Sequence, residues 1–292
     1  MMNATFNVKA FLRRSLPHSV RWRLSHVRLG YIQAPNFGDL LSPIIIERLF
    51  QARVVASTIA TADLLAVGSL MEKLRATEND LRPMIWGTGF IEEGGRWDGL
   101  DIKPLAVRGE LSLERVRHLV SRPVALGDPG LLVSRALPQQ STHHGPISIV
   151  PHYVDIDASE VSRATENSEV QVIDVRDDPI DVVSQIANSS IVFSSSLHGL
   201  IVADAFRVPN YWTPLSDNVI GGSYKFKDYY SVYDAEPVAI PLHDAIAKVD
   251  ALRRDWSPRP RIEELQDGLV ASFPLRQRNA EGTPSASTRD AH

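Results

Sequence analysis

The residues best suited to chemistry form one run in the second half of the chain, Ile191-Val-Phe-Ser-Ser-Ser-Leu-His-Gly-Leu200. An apolar stretch typical of a buried strand passes through three serines into a helical pattern that begins at Leu197. Hydroxyl groups and the free N–H groups of a helix N-terminus bind anions, and His198 lies in the same first turn. The run predicts an anion site with a histidine that transfers a proton. The alternative is a capped helix with a buried structural histidine.

Two further segments lie where a strand gives way to a helix. Arg108, in Ala106-Val-Arg-Gly109, could hold a carboxylate or phosphate with its two-pronged guanidinium, or could form a surface ion pair. Asn36-Phe-Gly38-Asp39 is a tight turn with a natural helix cap, and its backbone could approach a ligand closely. Gly127-Asp-Pro-Gly130 is interpreted only as a turn.

A mixed basic and aromatic cluster, Lys225-Phe-Lys227-Asp-Tyr229-Tyr230, suits the binding of phosphate and sugar, with a solvated helix face as the alternative. His152 ends a strand in Val150-Pro-His152 and is a second candidate acid, or else a structural histidine.

No metal site or resident cofactor is predicted. The chain has no cysteine, which removes thiolate ligands and nucleophiles. Asp155-Ile-Asp157 matches a metal-binding D-x-D pattern, but such tripeptides are common by chance, and His143-His144 has no reliable ligand spacing. The sequence contains no P-loop, no G-x-G-x-x-G and no G-x-S-x-G, so it lacks the usual nucleotide and hydrolase signatures.

Alternating strand and helix patterns position these residues in an α/β fold with two doubly wound units. The predicted strands are 27–33, 53–56, 63–68, 83–87, 104–107, 124–126, 147–150, 170–175, 191–193 and 210–212. The predicted helices are 36–50, 110–120, 181–187, 197–206, 243–254 and 261–273. We expect a basic leader over 1–28, one unit over 29–136, a linker over 137–146, a second unit over 147–275 and a disordered tail over 276–292.

Composition narrows the class of protein. The 292 residues are 43% hydrophobic and 23% charged, values of an ordinary globular chain that exclude a disordered or collagen-like one. No apolar run reaches 18 residues and no signal peptide is evident, so a cytoplasmic location is predicted.

The leader differs from the rest of the chain in charge. Six of the 31 Lys and Arg residues precede the first acid, Asp39, while the remainder of the chain is acidic, which argues against nucleic acid as a partner. The basic and apolar residues of the leader could lie on the inner membrane face. A solvated helix packed on the body is the alternative, and Pro17 interrupts any continuous face.

Taken in order, these motifs resemble the bacterial polysaccharide pyruvyltransferases, most closely the xanthan-type ketal pyruvyltransferases of exopolysaccharide synthesis. The motifs are Asn36-x-Gly38-Asp39, Gly68-Ser69, Trp86-Gly-Thr-Gly89, Val107-Arg-Gly109, Gly127-Asp-Pro-Gly-Leu-Leu132, Val150-Pro-His152, Ser194-Ser-Ser-Leu-His-Gly-Leu200 and Lys227-Asp-Tyr-Tyr230. The resemblance spans about Tyr31 to Phe273. Residues 219–227 depart from the acidic loop of the xanthan type, which leaves the acceptor sugar open.

The resemblance implies a GT-B-like pair of Rossmann-type domains with parallel sheets facing a central cleft. It also implies transfer of pyruvate from phosphoenolpyruvate to two hydroxyls of one sugar, usually on a lipid-linked oligosaccharide, with no cofactor besides this co-substrate. Within the family, the residues matching Leu197, His198 and Arg108 are linked to donor binding or catalysis. The alternatives are a GT-B glycosyltransferase that uses a nucleotide sugar and a non-catalytic polysaccharide-assembly protein.

The predicted site follows from motifs and resemblance together. Its catalytic candidates are His198 and His152. Its donor-binding candidates are Arg108, Ser194, Ser195, Ser196, Leu197, Asn36, Gly38 and Asp39. Its acceptor or phosphate contacts are Lys225, Lys227 and Tyr229.

Overall fold

The computed structural model describes residues 26–76, 82–99, 101–139 and 144–274. Most of the predicted leader, positions 140–143 of the predicted linker and the whole predicted tail lie outside these residues. Strands and helices alternate through the described chain, which confirms the α/β class. No helix in the described ranges is long and apolar enough to span a bilayer.

The first sheet has six parallel strands in the order β2-β1-β3-β4-β5-β6. They are β1 (His26–Gly30), β2 (Arg53–Ser57), β3 (Leu64–Leu65), β4 (Met84–Trp86), β5 (Lys103–Val107) and β6 (Ala125–Leu126). The helices of this part of the chain are α1 (Phe37–Phe50), α2 (Glu110–Val116) and α3 (Val133–Ala136). Because β2 and β3 lie on opposite sides of β1, the chain changes direction there, and a crevice opens at the carboxyl ends of β1 and β3.

The second sheet has four parallel strands in the order β10-β9-β7-β8. They are β7 (Ile147–Val150), β8 (Val170–Val172), β9 (Ile191–Ser194) and β10 (Asn210–Trp212). The accompanying helices are α4 (Ser159–Ala164), α5 (Pro179–Ala187) and α6 (Leu197–Ala205). Here β8 and β9 lie on opposite sides of β7, so this sheet has its own crevice at the carboxyl ends of β7 and β9.

Four helices complete the described chain, and the last of them returns to the first sheet. They are α7 (Tyr224–Tyr230), α8 (Leu242–Ala247), α9 (Val249–Asp255) and α10 (Ile262–Ser272). The indole of Trp86 donates to the carbonyl of Leu269 at 2.9 Å, and Phe273 stacks on Phe50 with ring centroids 3.7 Å apart. The second unit was predicted to include 261–273, whereas α10 packs on β5 and β6 of the first sheet.

One hydrophobic cluster joins the two sheets. It contains Leu29 of β1 and Val192 of β9, and all nine residues of α6 are buried within or beside it. This complete burial explains why α6 shows no polar face in the sequence. The boundary of the predicted leader also shifts, because Arg28 lies in β1 and forms an ion pair with Asp63 at 2.9 Å.

Candidate active site

A cavity of about 600 Å³ lies where the carboxyl ends of strands from both sheets meet. It is lined after β1 by Ile32 and residues 34–36, after β3 by 68–70, after β7 by 152–153 and after β9 by 196–198. The crevices of the two sheets therefore open into the same space. Its volume is that of a small-molecule site.

Two helix N-termini reach this cavity, those of α1 and α6. Asn36 precedes α1 in an extended conformation, and its amide donates to the carboxylate of Asp39 at 2.9 Å. Ser196 precedes α6 in the same way. The first-turn N–H groups of a helix have no partner within it and lie at the positive end of its dipole. In α1 the N–H of Phe37 already donates to the carbonyl of Val175 at 2.8 Å, so this helix favours an anion through its dipole and its remaining first-turn N–H groups.

The two helices touch at Gly38 and His198. A Cβ atom on Gly38 would lie 2.0 Å from Nδ1 of His198, far inside van der Waals contact. Gly38 therefore acts by leaving room for the imidazole against the backbone of α1. This places the predicted donor-binding Gly38 beneath the histidine.

This contact gives a test of the site's geometry. Gly38→Ala is expected to displace the His198 ring and to reduce turnover at least about tenfold, because small misplacements of catalytic groups are costly. Gly268→Ala, in helix α10, is the matched control: its Cβ would meet only Ala125 at 3.7 Å. That control should raise stability by about 0.4–1 kcal/mol. Melting temperatures and steady-state rates of both variants measure this, and equal activity of the two would contradict it.

The three serines before α6 have different roles. Ser194 donates to the carbonyl of Val150 at 2.7 Å and accepts from the backbone N–H of Ser196 at 3.0 Å, which fixes the turn between β9 and α6. Ser195 donates to Asp155 at 2.7 Å and accepts from the backbone N–H of His152 at 2.8 Å. Of the three, Ser196 lines the cavity. The hydroxyls of Ser194 and Ser195 hold the loops in place, whereas the sequence analysis assigned them to the donor.

The Asp155-Ile-Asp157 segment helps to hold the same loops, through Asp155. Asp155 is buried and accepts from Ser195 and, at 2.5 Å, from Ser216, whereas Asp157 is exposed. The two carboxylates therefore do not face one site. Within the described ranges, no group of three or more His, Cys, Asp or Glu side chains could hold a metal ion.

A buried carboxylate faces His198. Nε2 of His198 lies 4.0 Å from Oδ2 of Asp128, and neither atom has a hydrogen-bond partner in the described part of the chain. The other oxygen, Oδ1 of Asp128, accepts from the N–H of Gly130 at 2.8 Å. The turn of Asp128 packs on α6, since a Cβ on Gly130 would lie 2.9 Å from Ile201.

Burial shifts the proton affinities of this pair in opposite directions. Burial lowers the pKa of His198 to about 3, aided by the positive charges of Lys225 and Arg108. Burial raises the pKa of Asp128 to about 7, against the opposing effects of its hydrogen bond from Gly130 and the charge of Arg108. Between about pH 4 and pH 7 the pair therefore holds one dissociable proton, on Asp128, while the imidazole is neutral, and near pH 7 that proton is half lost.

Three basic side chains line the cavity beside the helix N-termini. Lys225 is buried in α7, and burial together with Arg108 lowers its pKa to about 8. Lys73 and Arg176 also line the cavity, the latter paired with Asp174 at 2.5 Å. Together with the two helix N-termini, Lys225 and Lys73 favour an anion in the cavity, and the carboxylate of Asp39 offsets part of their charge.

Two further titratable groups line the cavity. Burial and Lys225 lower the pKa of His152 to about 4, so its imidazole is neutral at pH 7. Burial raises the pKa of Asp39 to about 6, opposed by the charge of Lys73.

Arg108 does not line the cavity. It is fully buried, and its guanidinium donates to Asp228 at 2.8 Å, to the hydroxyl of Ser69 at 2.6 Å and to the carbonyl of Phe90 at 2.5 Å. These bonds use the fork that the sequence analysis assigned to the donor. Because Ser69 lines the cavity and Asp228 belongs to α7, Arg108 fixes two elements of the wall.

Lys227 and Tyr229 also lie away from the cavity. Lys227 is exposed on the other side of α7, and Tyr229 is buried with its hydroxyl donating to Asp204 at 2.8 Å. Of the three predicted acceptor or phosphate contacts, Lys225 lines the cavity.

The structure thus brings some of the predicted site residues together in the cavity. The predicted residues that line the cavity are Asn36, Asp39, His152, Ser196, Leu197, His198 and Lys225. Sequence reasoning missed Asp128, Ser69, Lys73 and Arg176. Asp128 and Ser69 each belonged to a motif quoted for the resemblance, but no local pattern gave either side chain a role. Lys73 and Arg176 had no signal at all.

A family model matches most of the chain. The family model described as polysaccharide pyruvyl transferase matches residues 5–216, and the chain belongs to that family. This confirms the resemblance seen in the motifs. The family indicates a transferase of exopolysaccharide biosynthesis, which transfers pyruvate to a polysaccharide acceptor.

The individual proteins that the chain resembles share less than 30% of their aligned residues with it. The chain is 26% identical over 245 residues to an uncharacterised protein of Acanthamoeba polyphaga mimivirus, covering 80% of this chain and 83% of that one. It is 28% identical over 203 residues to succinoglycan biosynthesis protein ExoV of Rhizobium meliloti, covering 68% of this chain and 61% of ExoV. A solved structure of a functionally uncharacterised protein of Klebsiella pneumoniae matches with a TM-score of 0.42 and 14% identity, over 82% of this chain and 99% of that one.

Proposed function

We propose that this protein transfers pyruvate from phosphoenolpyruvate to two hydroxyls of one sugar residue in an exopolysaccharide repeat unit, forming a cyclic ketal. The observation that supports this best is that two helix N-termini, Lys225 and His198 meet in one cavity, with the buried Asp128 behind His198. An anion site and a proton source are the two requirements of this reaction. A lipid-linked oligosaccharide at the cytoplasmic membrane face is the proposed acceptor.

The donor carries a carboxylate and a phosphate, and the cavity offers a partner for each charge. The N-termini of α1 and α6 supply backbone N–H groups, and Ser196 supplies a hydroxyl. Lys225 and Lys73 supply positive charge close to these groups. In this proposal Arg108 does not contact the donor. It is a positioning residue that holds Ser69 and α7 in place at the cavity.

The proton comes from the buried pair. When the negatively charged donor binds, it favours an imidazolium, so the proton shifts from Asp128 to His198. Because Nε2 is buried against Asp128, His198 then delivers the proton of its other ring nitrogen, Nδ1, to the methylene carbon, C3, and positive charge develops at C2. One sugar hydroxyl forms a bond to C2 and loses its proton to His152, which is neutral at pH 7 because of its lowered pKa.

Release of phosphate completes the transfer. The C2–O bond to phosphate breaks with its electron pair leaving on the phosphate oxygen. The neighbouring sugar hydroxyl then bonds to C2 and passes its proton to the departing phosphate or to a basic side chain. The products are the cyclic ketal and inorganic phosphate, with no oxidation or reduction.

The pH dependence follows from two groups that must be protonated. As pH rises, the pair loses its proton near the pKa of Asp128, about 7, and Lys225 loses its charge near its pKa of about 8. We therefore expect kcat/KM for phosphoenolpyruvate to fall above pH 7 and more steeply above pH 8. Lys225→Met should abolish the second decline and raise KM, whereas Lys248→Met, at an exposed lysine, should do neither. An unchanged profile in Lys225→Met would contradict this assignment.

The donor itself is tested by titration and phosphate release. Purified protein should bind phosphoenolpyruvate, release phosphate with a suitable oligosaccharide, and keep this activity in EDTA. Binding of a nucleotide sugar without binding of phosphoenolpyruvate would instead support a glycosyltransferase. Binding of saccharide alone, unaffected by His198→Ala, would support a non-catalytic assembly protein.

A further inference from the structure

A second depression adjoins the proposed active site on the other side of α7. Two hollows of about 530 and 270 Å³ share Glu93, Tyr224 and Lys227 in their walls, so they form one open groove. Lys227, which does not line the active-site cavity, lines both hollows. Tyr224 is half-buried and also lines both hollows.

The groove and the active-site cavity are separated by a narrow ridge. Ile91 and Ile220 line the cavity, and their chain neighbours Glu92 and Gly221 line the groove. A Cβ on Gly221 would lie 2.0 Å from the carbonyl oxygen of Ile91, so the two loops are in direct contact. The N–H of Ile91 donates to both oxygens of Glu72 at 2.9 Å, which anchors the ridge.

The chemistry of the groove differs from that of the cavity. Its charged side chains are Glu92, Glu93, Glu114, Glu236, Arg96, Arg115 and Lys227. Arg115 is occupied, because it donates to the carbonyls of Glu92 at 2.8 Å and Gly95 at 3.1 Å. The groove therefore has no positive field for an anion. Carboxylates that accept, an ammonium that donates and an aromatic face are the groups that bind a neutral, hydroxyl-rich chain.

We propose that this groove binds the sugar units of the acceptor that adjoin the unit receiving pyruvate, with Lys227 and Tyr224 as the principal contacts. The proposal rests on the proposed function, because it assumes that the acceptor sugar enters the cavity across the ridge. An acceptor held in this way spans both sides of the ridge formed by Ile91 and Ile220. The enzyme would then select an oligosaccharide over a single sugar.

The test is binding of saccharides of defined length. Glucose, galactose and mannose and their linear pentasaccharides are titrated against the full chain by calorimetry and saturation-transfer NMR. At least one pentasaccharide should bind about tenfold or more tightly than its monosaccharide. Lys227→Ala and Tyr224→Ala should remove that gain and leave phosphoenolpyruvate affinity unchanged, whereas Tyr224→Phe, which keeps the ring, should retain most of it. Lys248→Ala is the matched control for an exposed lysine.

Affinity independent of chain length, no binding of any member of the panel, or full gain in folded Lys227→Ala and Tyr224→Ala variants would overturn the proposal. Their melting temperatures establish folding. The two proposals fail separately: length-dependent binding without phosphate release would overturn the pyruvyl transfer alone. Phosphate release with length-independent binding would overturn the groove alone.

Discussion

A His198→Gln variant is expected to lose roughly 10²–10⁴-fold in kcat while it still binds phosphoenolpyruvate, because proton transfer by a positioned group contributes about this much. Glutamine keeps a hydrogen-bonding side chain of similar reach but cannot exchange a proton near neutral pH. Phosphate release measures kcat, and calorimetric titration measures donor affinity, which should change by no more than about threefold.

The matched control is His243→Gln. The His243 side chain is 78% exposed and is not part of the cavity lining, so its replacement should leave both quantities unchanged. If His198→Gln retains near-normal kcat, His198 serves only to bind the donor or to fill the space beside Gly38. The acid would then be sought at His152.

Asp128→Asn is expected to lower kcat by about 10²-fold or more, since the amide cannot hold the proton that the pair shares. The substitution keeps the oxygen that accepts from Gly130, so the turn before α6 is preserved. The decline in kcat/KM that begins at pH 7 should disappear with the carboxyl group, whose pKa of about 7 causes it, and the later decline near pH 8 that Lys225 causes should remain. Rates across pH 5 to 9 give both results.

Stability separates this role from a structural one. The folded-state pKa of Asp128 is raised from 3.8 to about 7, so the stabilisation from this shift is present below pH 4 and is lost as pH rises through 7. Asp128→Asn should therefore gain in melting temperature relative to the wild type between pH 5 and pH 8. Asp157→Asn, at an exposed acid, should change neither rate nor stability. A normal rate with a lowered melting temperature in Asp128→Asn would mean that Asp128 only caps the turn.

Much of the local structure follows from the sequence alone. The strands over 147–150 and 210–212 and the start of α6 at Leu197 were predicted as the structure has them. These elements have short apolar runs bounded by turn residues or serines, and such signals act within a few residues. The strand predicted over 63–68 shortens to Leu64–Leu65 because its continuation enters the turn at Gly68, which has a φ of 104°.

The sequence also determined which segments supply the site. Asn36, His152, Ser196 and His198 were chosen because each follows a strand, and in a parallel sheet all such positions lie at the same edge. Residues that follow parallel strands lie at that edge whatever the order of the strands. Which of these residues are neighbours depends on how the strands pair, and the local sequence does not specify that pairing.

Only the tertiary structure decided the partners of the functional side chains. Asp128 and His198 are 70 positions apart in the numbering, and they face each other because α6 packs on the turn after β6. Arg108 appeared suited to the donor, yet burial beside Asp228 of α7 gives it a partner 120 positions away. Such contacts depend on the order of strands in two sheets and on the packing of a fully buried helix. No periodicity or motif in the chain encodes either, because local patterns specify an element and its buried face but not the neighbour that covers it.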